Sequence, residues 1–326
     1  MNSPPRILVM TPVDRIKGIA EALARVGKVH YCPDPSIEEV MLAAGEVEGI
    51  FTNPNKSRVF LSREILEAAK NLKVICTAST GTNHIDMAFA AQKGITVLSL
   101  TEERETINKI SSTAEHAFAL FLSTIRRIPQ GHDSVLQGHW DYEPFVGRQI
   151  SALCVAVIGY GRLGRMFAGY ARAFGARVLA CDPYQRQYDS GVEAMPISEV
   201  LKNADVISLH VHVNPETTRM INRESLSMAK ESLLLVNTSR GEIVDEAAMV
   251  NFLKTRPLAR YATDVIAGEI QNRLASPILE YAAHSKQVII TPHIGGMTEE
   301  AQQIAYGRAV ERLTEFFLGN LSQGAV

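Results

Sequence analysis

Cysteine is scarce and tryptophan nearly absent: the 326 residues include four cysteines and one tryptophan. Cys32, Cys76, Cys154 and Cys181 form no CxxC pair, and three of them lie inside apolar, strand-like runs. That spacing argues against a disulfide framework or a zinc ribbon and for buried thiols in a reducing, cytoplasmic setting. Long apolar runs are missing too. No stretch approaches the ~18 residues of a membrane span, and the apolar core after Arg6 is too short for a secretory leader. Neither sign of charge is in excess: Lys plus Arg number 33 and Asp plus Glu 35, scattered along the chain. This speaks against a nucleic-acid or polyanion binder. What is present, 46% hydrophobic and 21% charged residues, is the balance of a globular protein. The chain is long enough for two domains of ~100–200 residues, each with its own core.

Short apolar runs alternate with helical patterns, many of them closed by glycine. Residues 6–10, 29–32, 49–52, 73–78 and 95–100 read as strands, with helices predicted over 16–26, 37–44, 62–70 (capped by Ser62) and 86–93. A second series of strands is predicted at 153–158, 177–181, 206–211, 233–237, 261–265 and 288–291. Between the two series, Ser112-Thr113-Ala114-Glu115 has the form of a capping box. Ala114, Ala117, Phe118, Phe121, Ile125 and Ile128 then keep helical spacing up to Pro129. This helix reads as core of its domain or as a crossing helix packed on a second subunit. Residues 131–149, which carry Trp140, read as an extended arm. The alternation predicts an α/β protein with two doubly wound parallel-sheet, Rossmann-like domains and a cleft between them. One domain comprises residues 1–103 plus 296–326, to which the final helix, 299–317, returns; the other comprises 104–295.

The most informative stretch runs from Leu153 to Asp182, LCVAVIGYGRLGRMFAGYARAFGARVLACD. It reads as strand, Gly159-x-Gly161-x-x-Gly164, helix, strand, acid. A glycine pattern alone is an ordinary turn signal, but both strands and the acid stand in place. Gly159 permits the tight turn, Gly161 lets backbone approach a pyrophosphate, and Gly164 lets helix and strand pack closely. The helix start offers N–H groups to that pyrophosphate, and Asp182 is placed to accept both ribose hydroxyls. The whole predicts dinucleotide binding.

Three motifs end predicted strands of the same domain, where open parallel sheets bind ligands. They are Asn237-Thr238-Ser239-Arg240-Gly241, Asp264 with Glu269 five residues on, and Thr291-Pro292-His293-Ile294-Gly295-Gly296. The histidine can exchange a proton with a hydroxyl or carbonyl oxygen. The glutamate can hold the imidazole in one tautomer, and the arginine can clamp a carboxylate with two hydrogen bonds. Alone, Arg240 would be a surface ion pair and Glu269 a solvated loop acid; arriving together, they suit one reaction. His210-x-His212 could place two imidazoles on one strand face, but no third metal ligand is apparent and no metal site is expected. His116 reads as a structural or interface residue.

With GYGRLG, CDP, NTSRGEIVDE, DVIAGE and TPHIGG in this order and spacing, the chain resembles the D-isomer-specific 2-hydroxyacid dehydrogenases, nearest the phosphoglycerate dehydrogenase branch. TASTGTNHID, residues 77–86, is similar to that family's substrate loop. The resemblance implies an enzyme that moves a hydride between NAD(H) and C2 of a small 2-hydroxy or 2-keto acid, in a homodimer. His293 would be the acid/base, Glu269 its partner and Arg240 the carboxylate clamp. Gly159, Gly161, Arg162, Leu163 and Gly164 would surround the pyrophosphate, with Asp182 on the ribose and Thr238 and Asp264 toward the nicotinamide amide. Ser79, Thr80 and Gly81 would hold the substrate carboxylate in the first, flavodoxin-like domain. Lys56 and Arg58 either face the substrate's far end, favouring a phosphorylated, 3-phosphoglycerate-like acid, or project into solvent. Glyoxylate or hydroxypyruvate reduction is the alternative activity, and an NAD(H)-sensing binding protein like the corepressors of this fold is the alternative class. The chain departs from the family pattern at Ser79 (commonly glycine), Lys56 (commonly arginine), and His212 and Ile270 (commonly proline).

Overall fold

A computed structural model describes residues 3–55, 59–270 and 272–319. Its first sheet comprises β1 (Arg6–Val9), β2 (Lys28–Tyr31), β3 (Gly49–Thr52), β4 (Val74–Thr77) and β5 (Thr96–Leu98), all parallel in the order β2-β1-β3-β4-β5. This is the flavodoxin-like order. Side chains alternate between the two faces. Ile7, Val9, Phe51 and Cys76 pack against Leu23 and against Ala309 and Leu313 of the final helix, Glu299–Phe317. Leu8, Ile50 and Ile75 face Val40, Ile65 and Phe89 on the other side. Arg308 and Arg312 of the final helix both bind Glu103, at 2.7 and 3.3 Å, which ties that helix to the segment after β5.

The second sheet has seven parallel strands: β6 (Cys154–Ile158), β7 (Arg177–Cys181), β8 (Val192–Ala194), β9 (Val206–Leu209), β10 (Leu234–Asn237), β11 (Arg260–Thr263) and β12 (Val288–Ile290). Their order, β12-β11-β10-β9-β6-β7-β8, reverses between β6 and β9, the crevice where such sheets bind dinucleotides. One face packs Val155, Val157 and Val236 under Phe118, Phe121 and Phe167; the other packs Ala156, Ile207 and Leu235 against Val200, Met249 and Leu253. Two compact units result, Met1–Ile110 with Met297–Val326, and Ser111–Gly296. Both are doubly wound, Rossmann-like α/β units, as the alternation of strands and helices predicts.

Several local readings need correction. Ser112 does not cap its helix: the helix is Ser112–Ile125, its N-cap is Ser111, and the Ser111 hydroxyl donates to Glu115 Oε1 at 2.5 Å. The helix stops at Arg127, whose φ of 52° is left-handed, and a new one, Ile128–Leu136, takes Pro129 in its first turn, where a missing N–H costs nothing. The expected extended arm therefore begins as a helix. That helix has no buried residue, so no apolar stripe marks it in the sequence. Ser62 sits at an N-cap but its hydroxyl makes no capping bond. Among the described residues, no helix is long and apolar enough to cross a membrane.

Candidate active site

The turn after β6 is built as a cradle. Gly159 has φ 91°, and a Cβ there would overlap the His210 carbonyl at the end of the neighbouring β9. At Gly164 a Cβ would strike the Gly159 carbonyl and come within 2.9 Å of Val157. Only glycine lets these three segments close together. At Gly161, N-cap of the helix Arg162–Ala173, a Cβ would meet nothing within 4 Å, so the space before this helix start is open. No side chain caps that N-terminus, which leaves its N–H groups to an anion.

Asp182 closes the cradle from the end of β7. Its Oδ2 accepts the Tyr160 N–H at 2.8 Å and its Oδ1 accepts the Tyr184 N–H at 2.9 Å, so the carboxylate is oriented and retains lone pairs for further donors. Tyr160 is itself fully buried. Its hydroxyl donates to Asp189 at 2.8 Å and its ring lies 5.0 Å from that of Tyr188, tilted by 35°, which pins the loop after Asp182. Thr238 supplies a buried hydroxyl with no hydrogen-bond partner among the described residues. A helix start without a side-chain cap, an oriented acid and a hydroxyl without a partner among the described residues, at the ends of β6, β7 and β10, fit a dinucleotide.

Arg240, Glu269 and His293 follow β10, β11 and β12, which are neighbours in the sheet. Asn237 orders the first of these turns, its side-chain amide donating to the Arg240 carbonyl at 2.9 Å. His293 Nδ1 lies 2.6 Å from Glu269 Oε1. A carboxylate on Nδ1 fixes the orientation of the imidazole. The loop carrying Glu269 is gripped from below: buried Glu246 accepts the Ala267 N–H at 2.8 Å and the Ser276 hydroxyl at 2.7 Å. Glu246 closes the motif NTSRGEIVDE, but its partners lie 21 and 30 residues away, so its grip on this loop shows only in the fold.

His293 has φ 54°, a left-handed conformation uncommon outside glycine. Its N–H donates to the Asp264 carbonyl at 2.9 Å, while the Asp264 carboxylate accepts the N–H groups of Ile294 and Gly295 at 2.9 and 2.7 Å. Burial pushes the Asp264 carboxyl up, but hydrogen bonds from His116, Thr291, Ile294 and Gly295 outweigh it and hold the group below the usual carboxylate value.

His210 and His212 do not share a strand face, because β9 ends at Leu209. His210 faces Ser208 Oγ at 2.9 Å and the Phe167 ring, and the atoms packed around its imidazole push its pKa down to about 3. His212 is exposed and offers its carbonyl to Thr217. Among the described residues, no group of three or more His, Cys, Asp or Glu side chains is arranged to hold a metal.

In the first unit, the Ser79–Gly81 loop follows β4. Its Gly81 N–H donates to Ser79 Oγ at 3.0 Å and its Thr80 carbonyl accepts the Thr101 hydroxyl at 2.9 Å. Lys56 and Arg58 lie outside the described residues.

Comparison with known proteins extends these observations. Residues 118–295 match the family model described as D-isomer specific 2-hydroxyacid dehydrogenase, NAD binding domain. The D-3-phosphoglycerate dehydrogenase of Synechocystis sp. is 32% identical over 98% of this chain and 56% of its own length. That of Methanocaldococcus jannaschii is 33% identical over 98% and 59%. The chain thus spans just over half the length of these relatives. Among solved structures, D-lactate dehydrogenase from Aquifex aeolicus, complexed with NAD and lactic acid, superposes with TM-score 0.82 at 29% identity, covering 97% of this chain and 96% of that one. NAD-dependent formate dehydrogenase from Staphylococcus aureus, in complex with NAD, reaches 0.85 at 25% identity, with 98% and 97% covered.

Proposed function

The chain belongs to the D-isomer specific 2-hydroxyacid dehydrogenase family, and from that premise we propose that it interconverts a D-2-hydroxy acid and its 2-keto acid with NAD(H). The observation that carries the proposal is the 2.6 Å pair of His293 Nδ1 and Glu269 Oε1, after β12 and β11, next in the sheet to β10, which Arg240 follows. The bound nicotinamide supplies or accepts the hydride at C2, chemistry that no side chain provides. Gly159, Gly161, Arg162, Leu163 and Gly164 hold the pyrophosphate and Asp182 the ribose hydroxyls. Thr238 offers its hydroxyl, which has no partner among the described residues, to the nicotinamide amide, and Asp264 a remaining lone pair of Oδ2. Arg240 clamps the substrate carboxylate and polarises the neighbouring carbonyl. His293 donates a proton to the carbonyl oxygen in reduction and takes it from the hydroxyl in oxidation, while Glu269 holds the ring in place through Nδ1.

For the substrate we propose a 3-phosphoglycerate-like acid, supported by the D-3-phosphoglycerate dehydrogenases among the relatives. The loop Ser79–Gly81 receives its carboxylate through the backbone N–H groups of Thr80 and Gly81, and Lys56 with Arg58 its phosphate. We further propose a cytoplasmic homodimer. The cysteines are free thiols, which suits a reducing compartment. The segment around the helix Ile128–Leu136 exposes Leu136, Trp140, Tyr142 and Val146, an apolar surface that a second copy would cover.

The test is NADH oxidation across a panel of 2-keto acids that includes phosphohydroxypyruvate, hydroxypyruvate, glyoxylate and pyruvate. Turnover led by the phosphorylated acid, with a higher KM for that acid alone in Lys56→Ala, is the expected result. Turnover led by glyoxylate or hydroxypyruvate would make those the substrates. NADH binding without turnover of any keto acid would favour a sensor of the corepressor kind.

A further inference from the structure

One side chain reaches the His293 turn from the far end of the second unit's sequence. His116 sits in the first turns of the helix Ser112–Ile125, 175 residues before Thr291, yet its Nε2 lies 2.9 Å from Thr291 Oγ1 and 3.3 Å from Asp264 Oδ1. The direction of these bonds follows from counting protons. Thr291 has a single hydroxyl proton and donates it to Asp264 Oδ1 at 2.6 Å. Its oxygen therefore accepts from His116, so Nε2 of His116 carries a hydrogen and acts as donor. Asp264 Oδ1 collects the Thr291 hydroxyl, the Ile294 N–H and the edge of His116, while Oδ2 takes the Gly295 N–H.

These bonds all converge on a strained turn. A left-handed residue with a side chain costs about 1–2 kcal/mol and persists only where its surroundings over-determine it. Here Asp264 supplies the restraint, holding the N–H groups of three consecutive residues from His293 to Gly295. His116 and Thr291 in turn fix the carboxylate. The helix also lies directly on the turn: a Cβ placed on Gly295 would come within 3.5 Å of Thr113 and 3.6 Å of His116.

We propose that His116 is a positioning residue. By donating to Thr291 and Asp264 it holds the turn that aims His293 at the reacting oxygen. The proposal rests on the dehydrogenase reading for the role of His293, but its grip on the turn can be measured without turnover. A residue needed only for core packing would show in global stability and would not depend on a hydrogen-bond donor; His116 is partly exposed and its Nε2 faces Thr291 and Asp264.

The experiment compares His116→Leu, which has no donor, with His116→Gln, whose amide can place an N–H near the position of Nε2. Thr291→Val, which breaks the same link with little change of shape, is the second route should the leucine variant fold poorly. Two readouts are taken: amide hydrogen exchange over residues 288–297 in the protein alone, and steady-state kinetics with NADH binding. His116→Leu is expected to speed exchange at Ile294 and Gly295 by about tenfold or more with the thermal midpoint little changed. In the same variant kcat should fall about tenfold in both directions, with KM and the NADH dissociation constant moving less than about threefold. His116→Gln should recover most of both effects. Combining His116→Leu with Thr291→Val should add little to either alone, since both cut one link. Unchanged exchange at Ile294 and Gly295 in His116→Leu overturns the proposal. So does an equal loss in the leucine and glutamine variants that tracks the thermal midpoint. Faster exchange in a protein that turns over no keto acid supports the grip on the turn and counts against the dehydrogenase reading alone.

Discussion

Glu246 Oε1 accepts the Ala267 N–H at 2.8 Å, and this bond ties the helix that follows the arginine motif to the loop that carries Glu269. The carboxylate is buried, and its other oxygen takes the Ser276 hydroxyl at 2.7 Å. Glu246→Ala would leave two buried donors without an acceptor, a loss of about 1–3 kcal/mol each at most. The expected outcome is a lower thermal midpoint together with a fall in kcat, as Glu269 loses its place under His293. Glu246→Gln keeps one acceptor oxygen and should recover much of both. Melting curves and steady-state kinetics on the two variants decide it; an alanine variant with unaltered kcat would show that the Glu269 loop holds itself.

Cofactor choice should follow Asp182. Its carboxylate is already oriented by two backbone N–H groups, so a ribose bound as proposed would set a 2′-phosphate against it. NAD(H) should be preferred over NADP(H) by at least ~1.4 kcal/mol, about tenfold in kcat/KM. Asp182→Ser should narrow that ratio chiefly by impairing NAD(H). Equal use of both cofactors by the unaltered protein would remove Asp182 from this role.

The elements that the sequence announces are those bounded by local chemistry. Ser36 and Glu39 form a capping box, and the helix Ile37–Ala44 spans its predicted residues. The final helix, Glu299–Phe317, starts at Thr298, whose hydroxyl accepts the Ala301 N–H, and ends as expected too. Buried strands such as Gly49–Thr52 stand out as apolar runs between turn residues. By contrast, Val192–Ala194 is a three-residue edge strand, and Pro277–Ala282 a six-residue helix with one buried residue; neither is long enough to show a period. The site divides in the same way. Arg240, Glu269 and His293 are legible because each follows a recognisable strand. Glu246 ends the motif NTSRGEIVDE and His116 reads as a structural or interface residue, but the partners of both lie 21 to 175 residues away, so their contacts are not legible before folding.

Stability below neutral pH should depend on His210. Packing holds its imidazole neutral in the folded protein, with a pKa of about 3, against ~6.5 in an unfolded chain. Between those values the unfolded state binds a proton that the native state refuses, so unfolding becomes easier as pH falls. From pH 6.5 to 5.0 this amounts to about 1–2 kcal/mol, and above pH 6.5 it vanishes. His210→Gln can keep a hydrogen bond to Ser208 without the titration. Urea unfolding at pH 7.5 and 5.0 should show a smaller pH-dependent loss in the variant than in the parent by that amount. Parallel losses would mean that His210 titrates normally in the folded protein.

Substrate affinity should respond to Ser79, where an internal acceptor competes for a donor. The Gly81 N–H, proposed to bind the substrate carboxylate, donates instead to the Ser79 hydroxyl at 3.0 Å. A carboxylate arriving there must break or share that bond, which offsets about 0.5–1.5 kcal/mol of the new interaction. Ser79→Gly removes the acceptor and leaves the N–H available, though it also loosens the loop, since glycine has more freedom to lose on binding. Ser79→Ala removes the acceptor without that added freedom and is the cleaner test. KM for the keto acid should fall about two- to tenfold in Ser79→Ala, with kcat nearly unchanged, because the contact is made equally in the ground and transition states. A charged or uncharged substrate tail should make no difference, since the hydroxyl competes only at the carboxylate end. A raised KM in Ser79→Ala would reverse the argument: the hydroxyl would then be a substrate ligand in its own right, and its bond to Gly81 a resting position it leaves on binding.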